Sequence, residues 1–231
     1  MSGDYIQYMV IIAIFGGLSM LVSSRLKSKF KKYSKVHLQN GMSGKEIAEK
    51  MLSDHGIRDV EVISVPGQLT DHYNPQNKTV NLSSVVYGER NAAAAAVAAH
   101  EVGHAVQHAT AYKWLTMRSK LVPMVSIASK ATQFILMGGF MLALMDSPIF
   151  LWIAIVIFGI VALFSIVTLP VEYDASNRAL AWMKESHVVT QDEYVGAKDA
   201  LKWAARTYLV AALAAVANVL YFALRLVNSR D

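Results

Sequence analysis

The sequence contains no cysteine, which excludes a disulfide framework, a thiolate zinc finger and a cysteine nucleophile. It is also short of charge. Only 17% of its 231 residues are Asp, Glu, Lys or Arg, against 54% hydrophobic, where an ordinary soluble domain is roughly a quarter charged. No internal repeat or low-complexity linker interrupts the chain. These shortages exclude a disordered tail and argue against a soluble globular domain, as does a mean hydropathy of +0.34. The length permits one or two domains with a sizeable core. Lys+Arg of 22 against Asp+Glu of 17 leaves +5, a balance that fits nucleic acid, an anionic membrane surface or acidic substrates until the basic residues are located.

The apolar excess is gathered in four runs, Tyr5 to Val22, Leu121 to Met145, Pro148 to Leu169 and Tyr208 to Val227, each near the roughly 20 residues that cross a bilayer as a helix. The first and third carry no charge, the second contains Lys130 and the fourth contains Arg225. Ser126, Ser129, Lys130 and Gln133 recur at helical spacing, a polar stripe expected to face protein or a water-filled site; snorkelling of Lys130 to the interface is the alternative. The fourth run also fits a long buried helix of a soluble core.

Arg25, Lys27, Lys29, Lys31, Lys32 and Lys35 follow the first run directly, and nothing basic precedes it. Lys113, Arg118 and Lys120 precede the second run, the turn from Asp146 to Pro148 has no basic residue, and Arg178, Lys184, Lys198, Lys202 and Arg206 separate the third run from the fourth. Positively charged flanks stay in the cytoplasm. The pattern therefore predicts both termini outside and two cytoplasmic segments. No small-x-small cleavage site follows the first run, so a retained anchor is expected in place of a signal peptide. The expected organisation is one integrated domain with an anchor at 5–24, a cytoplasmic catalytic segment at 25–120, a transmembrane hairpin at 121–169, a second cytoplasmic segment at 170–207 and a C-terminal span at 208–227. The basic balance then belongs to membrane flanks, and the bilayer, not nucleic acid, is the expected partner.

Within the cytoplasmic segments, Ser43-Gly44-Lys45-Glu46 reads as a capping box opening a helix over about 44–55, with Gly56 as its stop. Val60 to Val65 and Lys78 to Leu82 read as short strands of a hairpin or small sheet, with a turn at Asn74-Pro75. Asn91 caps an Ala-rich helix running to about Ala109. Thr190-Gln191-Asp192-Glu193 is a second capping box, opening a helix that can run unbroken into the fourth apolar run.

His100-Glu101-Val102-Gly103-His104 lies inside the Ala-rich helix. Histidines at i and i+4 share one helical face and can reach one Zn²⁺, while the glutamate between them can serve as general base toward water. His and Glu within a tract of Ala and Val disfavour burial unless paired or ligated. A hydrolytic zinc site commonly has three protein ligands. His108 lies about 12 Å along the axis from His100, too far for all three histidines to share one ion, and Thr110 occupies the position where a metzincin carries histidine. His37, His55, His72 and His187 have no favoured spacing and read as surface or capping residues. Glu172, directly after the third run, is the stronger third ligand: two crossings return the chain to the cytoplasmic side of His104. Asp174 is its alternative, and a carboxylate favoured at a helix N-terminus after Pro170 is the structural explanation.

These segments resemble the YugP-like neutral zinc metallopeptidases of bacterial membranes over nearly the whole chain. The resemblance rests on the anchor, on Gln68-Leu69-Thr70-Asp71-His72-Tyr73-Asn74-Pro75, on Val97 through His108, and on Pro170-Val171-Glu172-Tyr173-Asp174-Ala175-Ser176. It implies a mainly α membrane protein with about four transmembrane helices and a small α+β, gluzincin-like cytoplasmic catalytic part. It further implies one Zn²⁺ per chain, Glu172 as the third ligand, and a multi-pass enzyme of the bacterial inner membrane. Membrane gluzincins typically carry Glu-x-x-x-Asp at this point, the Asp supporting a ligand histidine. Ser176 stands there instead, with Asp174 or Asn177 as substitutes.

The expected activity is zinc-dependent hydrolysis of membrane-associated proteins or peptides at the cytoplasmic face, with Glu101 passing the proton to the leaving amine. Thr79 to Ser83 is an edge-strand candidate for pairing with substrate. His72 or Tyr73 is a candidate for stabilising the oxyanion, against a loop that merely forms the turn. Charged and polar residues flanking the motif exclude an intramembrane metalloprotease, and the absence of an inverted repeat argues against a transporter. A non-enzymatic zinc-binding membrane scaffold or regulator is the alternative.

Overall fold

The computed structural model describes residues 3–137 and 148–228. In chain order the elements are α1 (Gly3–Tyr33), α2 (Gly44–Asp54), β1 (Glu61–Val65), β2 (His72–Asn74), β3 (Thr79–Ser83), α3 (Ser84–Tyr87), α4 (Ala92–Ala109), α5 (Lys113–Met137), α6 (Pro148–Glu185) and α7 (Gln191–Asn228). The protein is thus mainly helical with one small sheet. Among the described residues three helices are long and apolar enough to cross a membrane: Ile6–Tyr33, Pro148–Glu185 and Gln191–Asn228. They carry the first, third and fourth apolar runs. Of the second run, residues 121–137 lie in α5 and residues 138–145 lie outside the described residues.

The described residues divide into two compact units, one drawn from Met1–Leu21, Met117–Leu169 and Thr207–Asp231, the other from Val22–Thr116 and Pro170–Arg206. In the first unit, Tyr8 of α1, Leu151, Ala154 and Phe158 of α6, and Phe222 and Leu226 of α7 form an apolar core. Tyr8 stacks on Tyr221 with ring centroids 4.8 Å apart, and Phe158 on Phe222 at 5.2 Å. Ile149, Ile153, Val156, Leu163, Leu220 and Leu224 are exposed. So much outward apolar surface on long helices is what a hydrocarbon solvent selects. On α5 the described members of the polar stripe, Ser126, Ser129 and Lys130, are also exposed.

The second unit is built from local signals that act as expected. Ser43 and Glu46 form the reciprocal capping box of α2, whose Ile47, Ala48, Met51 and Leu52 are buried. The Thr190 box closes the same way, with the Thr190 N–H donating to Glu193 and the Glu193 N–H to the Thr190 hydroxyl, and α7 then runs without a break to Asn228.

The sheet corrects one expectation. β3 is its central strand, in the order β1-β3-β2, parallel to β1 and antiparallel to β2. It is therefore the middle strand and not an edge. Val80 and Leu82 alternate with the polar Thr79, Asn81 and Ser83, and all five residues are buried. Their polar atoms are paired: Asn81 Nδ2 donates to the carbonyls of His72 and Thr79 and to the Thr79 hydroxyl, and Asp71 accepts from the Ser83 N–H and hydroxyl. The turn at Asn74-Pro75 joins β2 to β3.

α4 begins where Asn91 accepts the Ala94 N–H. It ends in a Schellman arrangement, with Ala111 N–H donating to His108 O and Tyr112 N–H to Gln107 O. The residue in the left-handed conformation is Ala111, at φ +49°, where a Cβ costs about 1 kcal/mol. Ala111→Gly should therefore raise stability by about 0.5–1 kcal/mol, read as a higher melting temperature in detergent; a lower one would contradict this account of the helix end.

Candidate metal centre

Alanine is what allows α4 to sit inside the second unit. Ala92 to Ala96, Ala98 and Ala99 are at most 1% exposed, and side chains this small let neighbouring elements approach from several sides while keeping high helix propensity. On this helix His100 and His104 project together, their ring centroids 4.8 Å apart and their planes at 84°. Gly103 lets the stretch of α6 just after Pro170 come close: a Cβ there would lie 2.5 Å from the Ala175 carbonyl oxygen. That approach carries Glu172, three residues before Ala175, to the two imidazoles.

Glu172 Oε2 lies 3.3 Å from His100 Nε2 and 3.6 Å from His104 Nε2. The three donor atoms fall within 4.8 Å of one another, the group among the described residues that could hold a metal ion. A tetrahedral zinc ion with bonds of about 2.0–2.1 Å separates its ligand atoms by about 3.3 Å, so the donor set and its spacing fit Zn²⁺. The opposite ring nitrogens are also engaged, His100 Nδ1 with the Ser176 hydroxyl at 3.1 Å and His104 Nδ1 with Gln107 Oε1 at 3.0 Å. Such partners hold a ligand imidazole in orientation.

The electrostatics agree with this placement. Burial opposes charge on Glu172, but hydrogen bonds from His100 and His104, with their positive character, outweigh it and hold the carboxyl well below the usual carboxylate range. Burial also opposes charge on His104, and there Glu172, followed by Glu101 and Gln107, outweighs it and raises the imidazole pKa.

Glu101 is buried at 8% exposure, and its Oε2 accepts the backbone N–H of Tyr73 at 3.0 Å. β2 is thereby fastened over the glutamate. The Tyr73 hydroxyl pairs with His108 Nδ1 at 2.7 Å. His72 is exposed, its Nδ1 against the Thr70 carbonyl at 2.7 Å. Asp174, the alternative third ligand, is turned elsewhere: its Oδ2 accepts Gln107 Nε2 at 2.8 Å and Arg178 Nε at 2.5 Å. Of the remaining histidines, His55 caps α2 with Nδ1 against Met51 O, and His37 makes a backbone bridge to Asn91.

Sequence reasoning did not single out Gln107, nor Gly103 as a packing residue, and with Ser176 at the position where the resemblance expects Asp it offered Asp174 or Asn177 as the support of a ligand histidine. Ser176 itself occupies that place. It stands four residues after Glu172, on the same helical face, and that spacing was the available signal.

Residues 8–227 match the family described as "Putative neutral zinc metallopeptidase". Over 215 residues the chain is 39% identical to the "Putative membrane protease YugP" of Bacillus subtilis (strain 168), an alignment spanning 93% of this chain and 94% of that protein. No solved structure matches the chain.

Proposed function

Because the chain belongs to the neutral zinc metallopeptidase family, we propose that it is a zinc metalloendopeptidase that cleaves membrane-associated proteins or peptides at the cytoplasmic face of the bacterial inner membrane. The observation that carries this reading is the convergence of His100 Nε2 and His104 Nε2 on Glu172 Oε2. His100, His104 and Glu172 are the ligands. When bound, Zn²⁺ supplies Lewis acidity that polarises the scissile carbonyl and lets water give up a proton near neutral pH.

Glu101 is the general base. The Tyr73 N–H fixes its Oε2, and Oε1 is the oxygen we assign to taking the proton from the attacking water and delivering it to the leaving amine. The same carboxylate thus returns the proton within one turnover. Oxyanion stabilisation is assigned to Tyr73 or His72; Tyr73 has the stronger support, since its backbone already touches Glu101.

Orientation rests on the Lys/Arg flanks. With residues 121–145 as a further span, the chain has four crossings, both termini outside, and catalytic segments at 25–120 and 170–207 on the cytoplasmic side. Few residues separate the ligands from the apolar runs, which is why membrane proteins and their released segments are the proposed substrates.

The test is reconstitution of the purified protein in phospholipid vesicles with a single-span membrane protein. The expected result is about one zinc per chain and cleavage that chelation abolishes and Zn²⁺ restores. Glu172→Ala should lose the metal and the cleavage together, because two histidines alone make a weak site. Full zinc loading without cleavage of any protein or peptide would overturn the enzymatic reading in favour of a zinc-binding scaffold.

A further inference from the structure

We propose that Gln107 and Asp174 form a positioning relay behind His104, in which a buried amide carries the influence of a carboxylate to a metal-ligand imidazole that the carboxylate does not touch. The proposal rests on the assignment of His104 as a zinc ligand.

Gln107 is fully buried, at 0% exposure. Its Nε2 lies 2.7 Å from the Val171 carbonyl and 2.8 Å from Asp174 Oδ2. Both partners can only accept, so the amide nitrogen must face them, and Oε1 must face His104. Oε1 in turn can only accept. The 3.0 Å contact to His104 Nδ1 therefore requires a proton on Nδ1, so that the neutral imidazole carries its lone pair on Nε2, the nitrogen on the Glu172 side. Hydrogen-bond accounting alone sets the imidazole in the form a metal ligand needs.

The donations run in one direction, from His104 to Gln107 and from Gln107 to Asp174, and bonds aligned in this way polarise one another. Arg178 Nε donates to the same Asp174 oxygen at 2.5 Å and lies over the Tyr112 ring at 5.6 Å. The carboxylate at the end of the relay is thereby charge-balanced and held in place. His100 is treated differently: its Nδ1 partner is the Ser176 hydroxyl, which can either donate or accept and so imposes no tautomer. His104 is the pre-set ligand and His100 the adaptable one.

Three measurements decide it. In the metal-free wild type at pH 8, long-range ¹⁵N spectra of the imidazoles should show the His104 proton on Nδ1; a proton on Nε2 alone would overturn the relay. Gln107→Met, similar in volume but unable to bond, should weaken zinc affinity ten- to a hundredfold in a chelator competition. Asp174→Asn keeps an oxygen for Gln107 and Arg178 but removes the charge, and should weaken zinc affinity several-fold with the melting temperature little changed. Unchanged zinc affinity in a folded Asp174→Asn protein would reduce the network to simple packing. Should Gln107→Met fail to fold, the wild-type spectrum and Asp174→Asn still decide. Absence of zinc binding by the wild type would instead refute the metal assignment itself, a distinct failure.

Discussion

Glu101→Gln should lower kcat/KM for peptide cleavage by about 10²–10⁴-fold, the range that a positioned general base contributes, while zinc content stays at the wild-type level. The separation of the two readouts follows from the structure. Glu101 is not among the three residues whose donor atoms converge, so removing its charge leaves the ligand set whole. Its one described hydrogen bond, from the Tyr73 N–H, can still be accepted by the amide oxygen of glutamine, so β2 stays fastened to α4. What disappears is the capacity to take a proton: an amide is not a base near neutral pH. The loss corresponds to about 3–5 kcal/mol of transition-state stabilisation and should fall on kcat more than on KM, since the proton moves only in the transition state. Full retention of cleavage would sink the assignment of Glu101. Loss of zinc along with activity would instead show that Glu101 shapes the ligand set.

Features that are local in sequence were legible in it. The caps of α2, α4 and α7 each depend on a side chain and a backbone N–H three residues apart, and the His100–His104 pair on a single helical turn, so residue spacing alone carries them. The first, third and fourth apolar runs are legible because a helix able to cross a membrane must be long and nearly charge-free. Glu172 was reachable only indirectly, since nothing in its neighbourhood names His100 as a partner 72 residues away; topology and the family resemblance brought it forward. Strand order was not legible. The reading of β3 as an edge strand fails because β2 pairs along one side of it, and β2 and Asp71 also meet its polar side chains. Gln107 was likewise in view, three residues after His104, but its role depends on Val171 and Asp174 of a distant helix. An amide's purpose is set by what its second group finds, and periodicity does not encode that.

Gly103 is the second place where tertiary contact overrides a local rule, and its replacement should have a large effect on the metal centre. Within a helix, Gly→Ala ordinarily stabilises by about 0.5–1 kcal/mol. At Gly103 the added Cβ would lie 2.5 Å from the Ala175 carbonyl oxygen and 3.1 Å from its carbonyl carbon and Cα. These are backbone atoms of α6, which cannot rotate aside as a flexible side chain would. Relief requires α4 and α6 to separate locally, an overpacking cost of about 1–3 kcal/mol that outweighs the propensity gain. The separation acts on the line joining His100 and His104 to Glu172, because Ala175 and Glu172 share one helical face three residues apart. Ligand distances near 3.3–3.6 Å leave little room before three-point coordination fails. Gly103→Ala should therefore lower zinc affinity by more than about tenfold and lower the melting temperature of the metal-free protein, the overpacking term appearing directly in the latter. Gly159→Ala in the same helix as Ala175 is the control: among the described residues nothing lies within 4 Å of the added Cβ, and that variant should keep wild-type zinc affinity and melt no lower. A Gly103→Ala protein with unchanged zinc affinity would mean that the close approach of the two helices does not set the ligand geometry.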